Sequence, residues 1–216
     1  MAFFIFATAM QKERSIKTLP LDGGAQPFHL VNTVYAWRGE NLHEYLSNYA
    51  DVLAWCEKVG LLKKETLRQL KAAADAQPGA AEKAYQSIIQ IRALLYHFFS
   101  AVAASNKAAL TSLLDPFNKH IHEALAHFSW TPAKAGLQFV HQTEASLLLP
   151  LWLVLKAAHD RLLTEDQARI KECPRCGWIF LDTTKNGKRR WCNPQSCGSV
   201  EKSKRYYRKK LNAAKS

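Results

Sequence analysis

The chain has 216 residues, of which 48% are hydrophobic, and it carries a formal net charge of +12. This length accommodates one mid-sized domain with a small appendix, or two compact units. The hydrophobic share is ordinary for a globular protein and argues against disordered and membrane classes. The apolar run at residues 147–155 contains Pro150 and is shorter than the roughly 18 residues of a spanning helix, so it predicts a buried helix. The apolar residues 2–9 follow no basic segment, and we therefore expect a cytoplasmic protein.

The positive charge is concentrated at the C-terminal end. Residues 171–216 hold 13 Lys and Arg against 3 acidic residues, whereas the rest of the chain holds 17 against 15. A segment of this kind attracts polyanions, either nucleic acid or an acidic membrane face. Nucleic acid is the preferred partner, because the basic helix described below lacks the sizeable apolar face that membrane binding needs.

The first two thirds of the chain show helical periodicity. Residues 1–27 are predicted to be irregular, and the first long helix is predicted to begin after Asn41, with Glu44 in the capping-box position, and to end at Gly60. Further helices are expected at residues 64–76, 80–105, 108–127 and 144–163. The β-prone residues 128–131 and 137–141 predict a small hairpin. Residues 28–165 are therefore expected to form a mainly α domain with one minor β element.

This helical domain offers few polar candidates for a functional site. Asn32 and Arg92 either hydrogen-bond each other inside the fold or line a small effector pocket. His120 and His122 are two positions apart and would point to different faces of a helix, which makes them a poor metal pair. The sequence contains no nucleophile elbow, P-loop or Rossmann fingerprint, so no enzymatic activity is predicted. The tryptophans expected in the core are Trp37, Trp55, Trp130 and Trp152.

Four of the five cysteines lie close together near the C-terminus. Two residues separate Cys173 from Cys176, four separate Cys192 from Cys197, and 15 lie between the pairs. This spacing predicts one structural zinc ion with four thiolate ligands, a complete set that leaves no position open for catalysis. Two disulfides, or a redox-active Cys-x-x-Cys pair, are the alternatives. A segment of about 45 residues cannot build an adequate core alone, which favours the metal.

Residues 166–216 are predicted to form a small ββα-like module of the treble-clef or zinc-ribbon type. Residues 178–181 are typical of a strand, and Trp191 is expected to close a hairpin across Asn186-Gly187. Ser199 is expected to cap a basic helix. On that helix, Tyr206 and Tyr207 either pack on the zinc core or stack on bases, and packing is expected for at least one of them.

Two basic clusters flank the predicted zinc site. Lys and Arg side chains neutralise phosphates and release counterions, and Arg can also bind a guanine edge. A charged surface that only keeps the module soluble is the alternative. The candidate nucleic-acid-binding residues are Lys185, Lys188, Arg189 and Arg190 before the second cysteine pair, and Lys202, Lys204, Arg205, Arg208 and Lys209 after it.

Several motifs resemble the CGNR zinc-finger family of bacterial proteins, which join an N-terminal helical domain called ABATE to a C-terminal finger. The motifs are Phe-His-Leu-Val-Asn-Thr at 28–33, Ile-Arg-Ala-Leu-Leu at 91–95, Phe-Leu-Asp at 180–182, Arg-Arg-Trp-Cys at 189–192 and Cys-Gly at 197–198. The resemblance implies Cys173, Cys176, Cys192 and Cys197 as zinc ligands, and a transcription regulator often described as stress-induced. The name-giving Cys-Gly-Asn-Arg is changed, because Ser199 and Val200 follow Cys197-Gly198. Lys204 or Arg205 would then have to compensate for the missing Arg.

These observations leave three functional hypotheses. The first is a bacterial regulator whose helical domain senses a small-molecule effector or forms a homodimer and whose zinc module binds DNA. The second is an RNA-binding protein that uses the same basic surface, which charge alone cannot separate from the first. The third is an enzyme with a pocket in the helical domain.

Overall fold

The computed structural model describes residues 15–38, 43–142, 146–164 and 166–213. Over these residues the fold is mainly α, as predicted, with two small antiparallel sheets. The helices are α1 (Gln26–Val31), α2 (Tyr49–Lys58), α3 (Lys64–Ala76), α4 (Pro78–Ala103), α5 (Lys107–Leu125), α6 (Leu149–Thr164) and α7 (Ser199–Ala213). The strands are β1 (Phe128–Ala133), β2 (Gly136–His141), β3 (Ile170–Glu172) and β4 (Ile179–Leu181). In this part of the chain no helix is both long and apolar enough to cross a membrane.

The start of the first long helix was predicted wrongly. Helix α2 begins at Tyr49, and the side chain of Asn48 caps it by accepting a hydrogen bond from the backbone N–H of Asp51 at 3.0 Å. Glu44 lies in an extended bridge opposite Val34, and its carboxylate pairs with Arg92 rather than with a helix terminus. The proposed cap Asn41 lies outside the described residues. A long-range ion pair, which sequence spacing does not reveal, has thus taken the place of a local capping box.

The hairpin β1–β2 is confirmed, with Trp130 paired to Phe139. Only the base of this hairpin enters the core, because Phe128 is buried while 66% of Trp130 is exposed. The assignment of Trp130 to the core is therefore wrong. Trp55 and Trp152 are buried as expected, and the half-buried Trp37 stacks on Tyr96 with the ring centroids 4.1 Å apart.

One hydrophobic core extends through both the helical region and the cysteine region. Phe28 of α1 packs edge-on against Phe99 of α4 at 4.9 Å, and Phe180 of β4 is as fully buried as they are. Residues 15–27 are more regular than predicted: a 3₁₀ turn covers Ile16–Thr18, Leu19 is buried, and α1 starts at Gln26. The predicted division near residue 165 therefore separates two sequence regions that share one core.

Candidate zinc centre and nucleic-acid interface

The first cysteine pair lies in a turn between β3 and β4, which pair antiparallel. The turn is closed by two backbone hydrogen bonds, from Cys173 N to Trp178 O at 2.8 Å and from Gly177 N to Cys173 O at 2.9 Å. Gly177 has a φ of +77°, and a Cβ at this position would lie 2.8 Å from the Cβ of Trp37. The turn thus requires glycine both for its backbone conformation and for the close approach of Trp37.

The second pair lies at the start of α7. The Asn193 side chain accepts hydrogen bonds from the backbone N–H groups of Gln195 at 2.8 Å and Ser196 at 3.2 Å. A π-helical turn, Pro194–Gly198, follows and leads directly into α7. One cysteine pair thus lies in the turn between two strands, and the other pair precedes a helix. This order confirms the predicted ββα arrangement.

The four sulphur atoms fit one zinc ion. The Sγ atoms of Cys173, Cys176, Cys192 and Cys197 lie within 4.8 Å of one another. The Sγ of Cys192 is 3.5 Å from that of Cys176 and 3.6 Å from that of Cys197. A tetrahedral ion with Zn–S bonds of about 2.3 Å places its sulphur ligands about 3.8 Å apart. No disulfide joins these cysteines, and the four thiolates would hold one structural zinc ion that joins the β3–β4 turn to α7.

The hairpin predicted across Asn186-Gly187 is wrong, because β4 pairs with β3 instead. The loop after β4 is organised by Asp182, which is fully buried. Its carboxylate accepts hydrogen bonds from Lys171 Nζ at 2.6 Å and from the backbone N–H of Arg189 at 2.8 Å. Lys171 Nζ also donates to the carbonyl oxygens of Gly187 and Arg189, so this ion pair fixes the second half of residues 183–191, called the basic loop here.

Arg189 differs from the other candidate residues in this loop. Its guanidinium group donates to the carbonyl oxygens of Trp191, at 2.9 Å, and Cys192, and it lies 4.7 Å from the centre of the Phe180 ring. These contacts stabilise the turn that carries Cys192. The side chains of Lys185, Lys188 and Arg190 are exposed instead.

Helix α7 extends from the zinc site with no buried residue. Lys202, Arg205 and Lys209 recur at three- and four-residue spacing and therefore share one face. Tyr206 and Tyr207 are each 64% exposed, so the expectation that one of them packs on the zinc core is wrong. The remaining candidates on this helix, Lys204 and Arg208, are also exposed.

The end of the basic loop packs against the start of α7. The Arg190 guanidinium lies 5.1 Å from the centre of the Trp191 ring. A Cβ placed on Gly198 would lie 3.1 Å from Trp191 Cδ1, so this indole packs against the turn where α7 begins. Arg190, the last residue of the first basic cluster, therefore lies close to the turn from which α7 begins.

Asn32 and Arg92 are buried but bind different groups. The Asn32 amide donates to Ile179 O at 2.8 Å and accepts from Ile179 N at 3.0 Å, which ties α1 to strand β4. Arg92 donates to Thr33 Oγ1 at 2.7 Å and forms its ion pair with Glu44. Both side chains therefore support the fold around the zinc module, and neither bonds to the other.

Three acidic residues at this junction were not singled out as site residues from the sequence. Besides Asp182, Glu172 accepts hydrogen bonds from Arg38 at 2.8 Å and Ser100 at 2.7 Å, and Asp22 binds the Asn193 side chain at 3.2 Å. Two of the three, Glu172 and Asp182, are isolated acids within a strongly basic segment, and that isolation is the one signal that could have drawn attention to them. Their partners are distant in sequence and were not predictable from it.

Comparison with protein families agrees with this geometry. Residues 169–210 match the model of the CGNR zinc finger, and residues 25–166 match the ABATE model, described as "Putative stress-induced transcription regulator". No curated protein shows significant similarity to the chain. Because the ABATE match covers more than half of the sequence and the zinc-finger match follows it directly, the chain belongs to the ABATE family and carries a C-terminal CGNR zinc finger.

Proposed function

We propose that this chain regulates transcription by binding DNA through its zinc module, while the helical domain senses an effector or dimerises. The observation that carries the proposal is that two exposed cationic clusters, one on the basic loop and one on α7, are attached to one four-cysteine site. On α7 every Lys and Arg side chain from Lys202 to Lys210 is exposed. Cations held on a rigid module can contact successive phosphates and release their counterions.

The family's Arg is replaced by Val200 in this chain, and this replacement is compatible with a cationic surface on α7. Val200 lies in the first turn of α7 and is 37% exposed. Lys204 is four residues further on and therefore lies over the same face of the helix. Its side chain is 61% exposed, and its ammonium group lies 3.4 Å from the carboxylate of Glu201. We propose that Lys204 supplies the positive charge that position 200 lacks.

The hydrogen bonds of Asn32 and Arg92 argue against an effector pocket lined by these two residues. The amide of Asn32 binds both backbone groups of Ile179, and the Nη atoms of Arg92 bind Thr33 and Glu44. An effector that used these bonded atoms would have to displace a buried protein partner, which costs free energy. We therefore propose that both residues are structural and that any effector binds elsewhere.

RNA is the second candidate ligand, and the two exposed tyrosines favour it. Their rings lie 5.8 Å apart on α7, beside the cationic face. Aromatic side chains stack on unpaired bases, which are accessible in RNA loops and single strands but not in a DNA duplex. The two candidates are separated by comparing the affinity of the protein for a DNA duplex with its affinity for an RNA stem-loop.

The test measures the affinity of the zinc-loaded protein for a random-sequence DNA duplex at several salt concentrations. Arg205→Ala should reduce the affinity and lower the slope of log K against log salt concentration by about one, because one phosphate contact is lost. Lys119→Ala is the matched control, since Lys119 is an exposed cation of α5 outside the zinc module, and its loss changes the net charge equally.

The outcomes are distinct. Equal effects of the two substitutions would contradict the assigned surface. Binding to an RNA stem-loop at least tenfold tighter than to the duplex, with a loss on Tyr207→Ala, would support the RNA candidate. Selection of genomic duplex fragments by the wild-type protein would support the regulator and identify its target sequences.

A further inference from the structure

We propose that a groove formed by α2, α3 and the first turn of α4 is the site at which two copies of this chain associate. The groove, called the α3 groove here, has a volume of about 740 Å³. The proposal deepens the proposed function, because it assigns the dimer interface of the helical domain. It uses none of the residues of the basic loop or α7.

The floor of the α3 groove is apolar and shallow. It is formed by Leu53 and Leu67 and by small side chains, those of Ala50, Ala54, Ala74 and Ala81. Ala50 and Ala54 are exposed and one turn apart on α2, while Leu67 and Ala74 are half-buried on α3. Helix α3 has 13 residues and fully buries only Leu70, while Leu67 and Ala74 pack against the core on one side and remain partly exposed in the groove. Small residues on a floor let the backbone of a second helix approach closely.

The walls of the groove carry opposite charges. Helix α3 contributes three cations and one acid, Asp75, and α2 and α4 contribute two acids. The cations Lys64, Arg68 and Lys71 are called the basic wall here, and Glu57 and Glu82 the acidic wall. Among the residues that the structure describes, the ion pairs of the basic wall are exposed and run along α3, Arg68 with Glu65 at 3.0 Å and Lys71 with Asp75 at 2.7 Å. Exposed pairs of this kind contribute little stability and exchange partners readily.

This distribution of charge favours a second copy as the occupant. In a two-fold symmetric dimer the same patch is used twice, so that residue i of one copy meets residue j of the other and the reverse. A groove with one basic and one acidic wall is self-complementary under that symmetry. The basic wall of each copy can then face the acidic wall of its partner, and the apolar floors are covered together.

The position of the groove is compatible with nucleic-acid binding. Helix α4 connects the two regions: Glu82 lies at its first turns, and Ser100 near its other end contacts Glu172 beside the zinc site. These two positions are about 27 Å apart along the helix axis at 1.5 Å per residue. A dimer formed through the α3 groove would therefore leave both basic surfaces free.

The test measures the molar mass of the zinc-loaded full chain by analytical ultracentrifugation from about 1 to 100 μM. The wild-type protein should form a dimer that weakens as salt is added, because its charge pairs are screened. The basic-wall variant Arg68→Glu/Lys71→Glu and the acidic-wall variant Glu57→Arg/Glu82→Arg should each raise the dissociation constant at least about tenfold, since like charges would face each other. An equimolar mixture of the two variants should dimerise again.

The matched control is Lys107→Glu/Lys119→Glu, which reverses two exposed lysines of α5 outside the groove and should leave the dimer intact. Circular dichroism establishes that every variant is folded. A wild-type monomer at 100 μM, a dimer that tolerates both wall variants, or a mixture that stays monomeric would each overturn the proposal. The duplex affinity of the monomeric variants, measured at low salt, reports on the zinc module separately, so failure of one proposal leaves the other testable.

Discussion

Asp182 has no exposed surface, yet its carboxylate carries a charge. Burial alone would raise its pKa, but hydrogen bonds from Lys171, from Thr184 and from the backbone of Arg189 outweigh it and hold the pKa below its usual range. The charged carboxylate therefore holds the backbone of the basic loop in place. Loss of this ion pair is therefore expected to disturb the backbone of the loop that carries Lys185, Lys188 and Arg190.

Replacement of Asp182 by Asn should lower the free energy of unfolding by about 3 kcal/mol, because it leaves the partly buried Lys171 ammonium without a counter-charge. Asp75→Asn removes an exposed pair with Lys71 and should cost less than about 0.5 kcal/mol. Denaturant unfolding of the zinc-loaded proteins measures both. Equal losses would contradict a structural role for the buried pair.

His29 gives the fold a dependence on pH. Burial lowers the pKa of its imidazole to about 4, and Nδ1 has no hydrogen-bond partner within the described chain. In the unfolded chain the pKa is about 6.5, so between these values the unfolded state binds a proton that the folded state does not. Stability should therefore fall as the pH decreases from about 6.5 to 4.

His29→Phe should remove this part of the pH dependence. The difference amounts to at most about 3 kcal/mol, and less in practice because the imidazole is not completely buried. Unfolding free energies of the variant and the wild type are measured across this range. Protonation of the zinc ligands affects both proteins equally, so parallel curves would contradict the assignment to His29.

At the scale of elements, the β3–β4 turn shows why a motif needs its tertiary neighbour. Gly177 adopts a positive φ, which alone favours glycine, and it also lies against Trp37, whose backbone N–H donates to Cys176 O at 2.8 Å. The cysteine-bearing turn is thus held from outside by the segment after α1. The geometry of the metal site therefore depends on the backbone conformation of Gly177 and on its contact with Trp37.

Gly177→Ala should cost at least about 3 kcal/mol, the sum of a left-handed backbone and a steric overlap with Trp37. Gly60→Ala is the matched control, because Gly60 also has a positive φ, +64°, but no atom lies near enough to touch a Cβ. This control should cost about 1–2 kcal/mol. Unfolding measurements give the two losses, and zinc transfer to a chromophoric chelator should be faster in Gly177→Ala alone. Indistinguishable losses would show that Trp37 can move aside.

At the scale of the whole molecule, the zinc module and the helical region are joined by buried bonds. Asn32 binds Ile179, and the Trp178 indole donates to Val34 O at 2.7 Å. The core residues of both regions form one cluster. We therefore expect the two regions to unfold together, although they match two separate families.

Removal of zinc tests this coupling. Cys176→Ser, or chelation of the wild-type protein, should lower the midpoint at which the helical circular-dichroism signal is lost, because binding energy of the metal is linked to the folding of everything in contact with it. Cys56→Ser changes a buried cysteine outside the cluster and should retain one zinc ion per chain. An unchanged midpoint in Cys176→Ser would mean that the boundary near residue 165 separates independent folding units.

The sequence by itself determined the features that depend on local order along the chain. The four cysteines, the helical periodicity of α3 to α5 and the cationic face of α7 are all set by spacing between near neighbours. The β-prone residues 128–131 and 137–141 also predicted the β1–β2 hairpin, although Trp130 in the middle of β1 proved exposed. The zinc site could be predicted because thiolate coordination requires so specific a spacing.

Only the tertiary structure decided how these elements are joined. Asp182 with Lys171, Arg92 with Glu44 and Asn32 with Ile179 are pairs whose members lie far apart in sequence or carry no local signal. The partner of β4 and the true start of α2 were decided in the same way, by contacts that only form when distant segments are brought together. A buried polar group must find a partner wherever the fold supplies one, and the chain order does not say where that is.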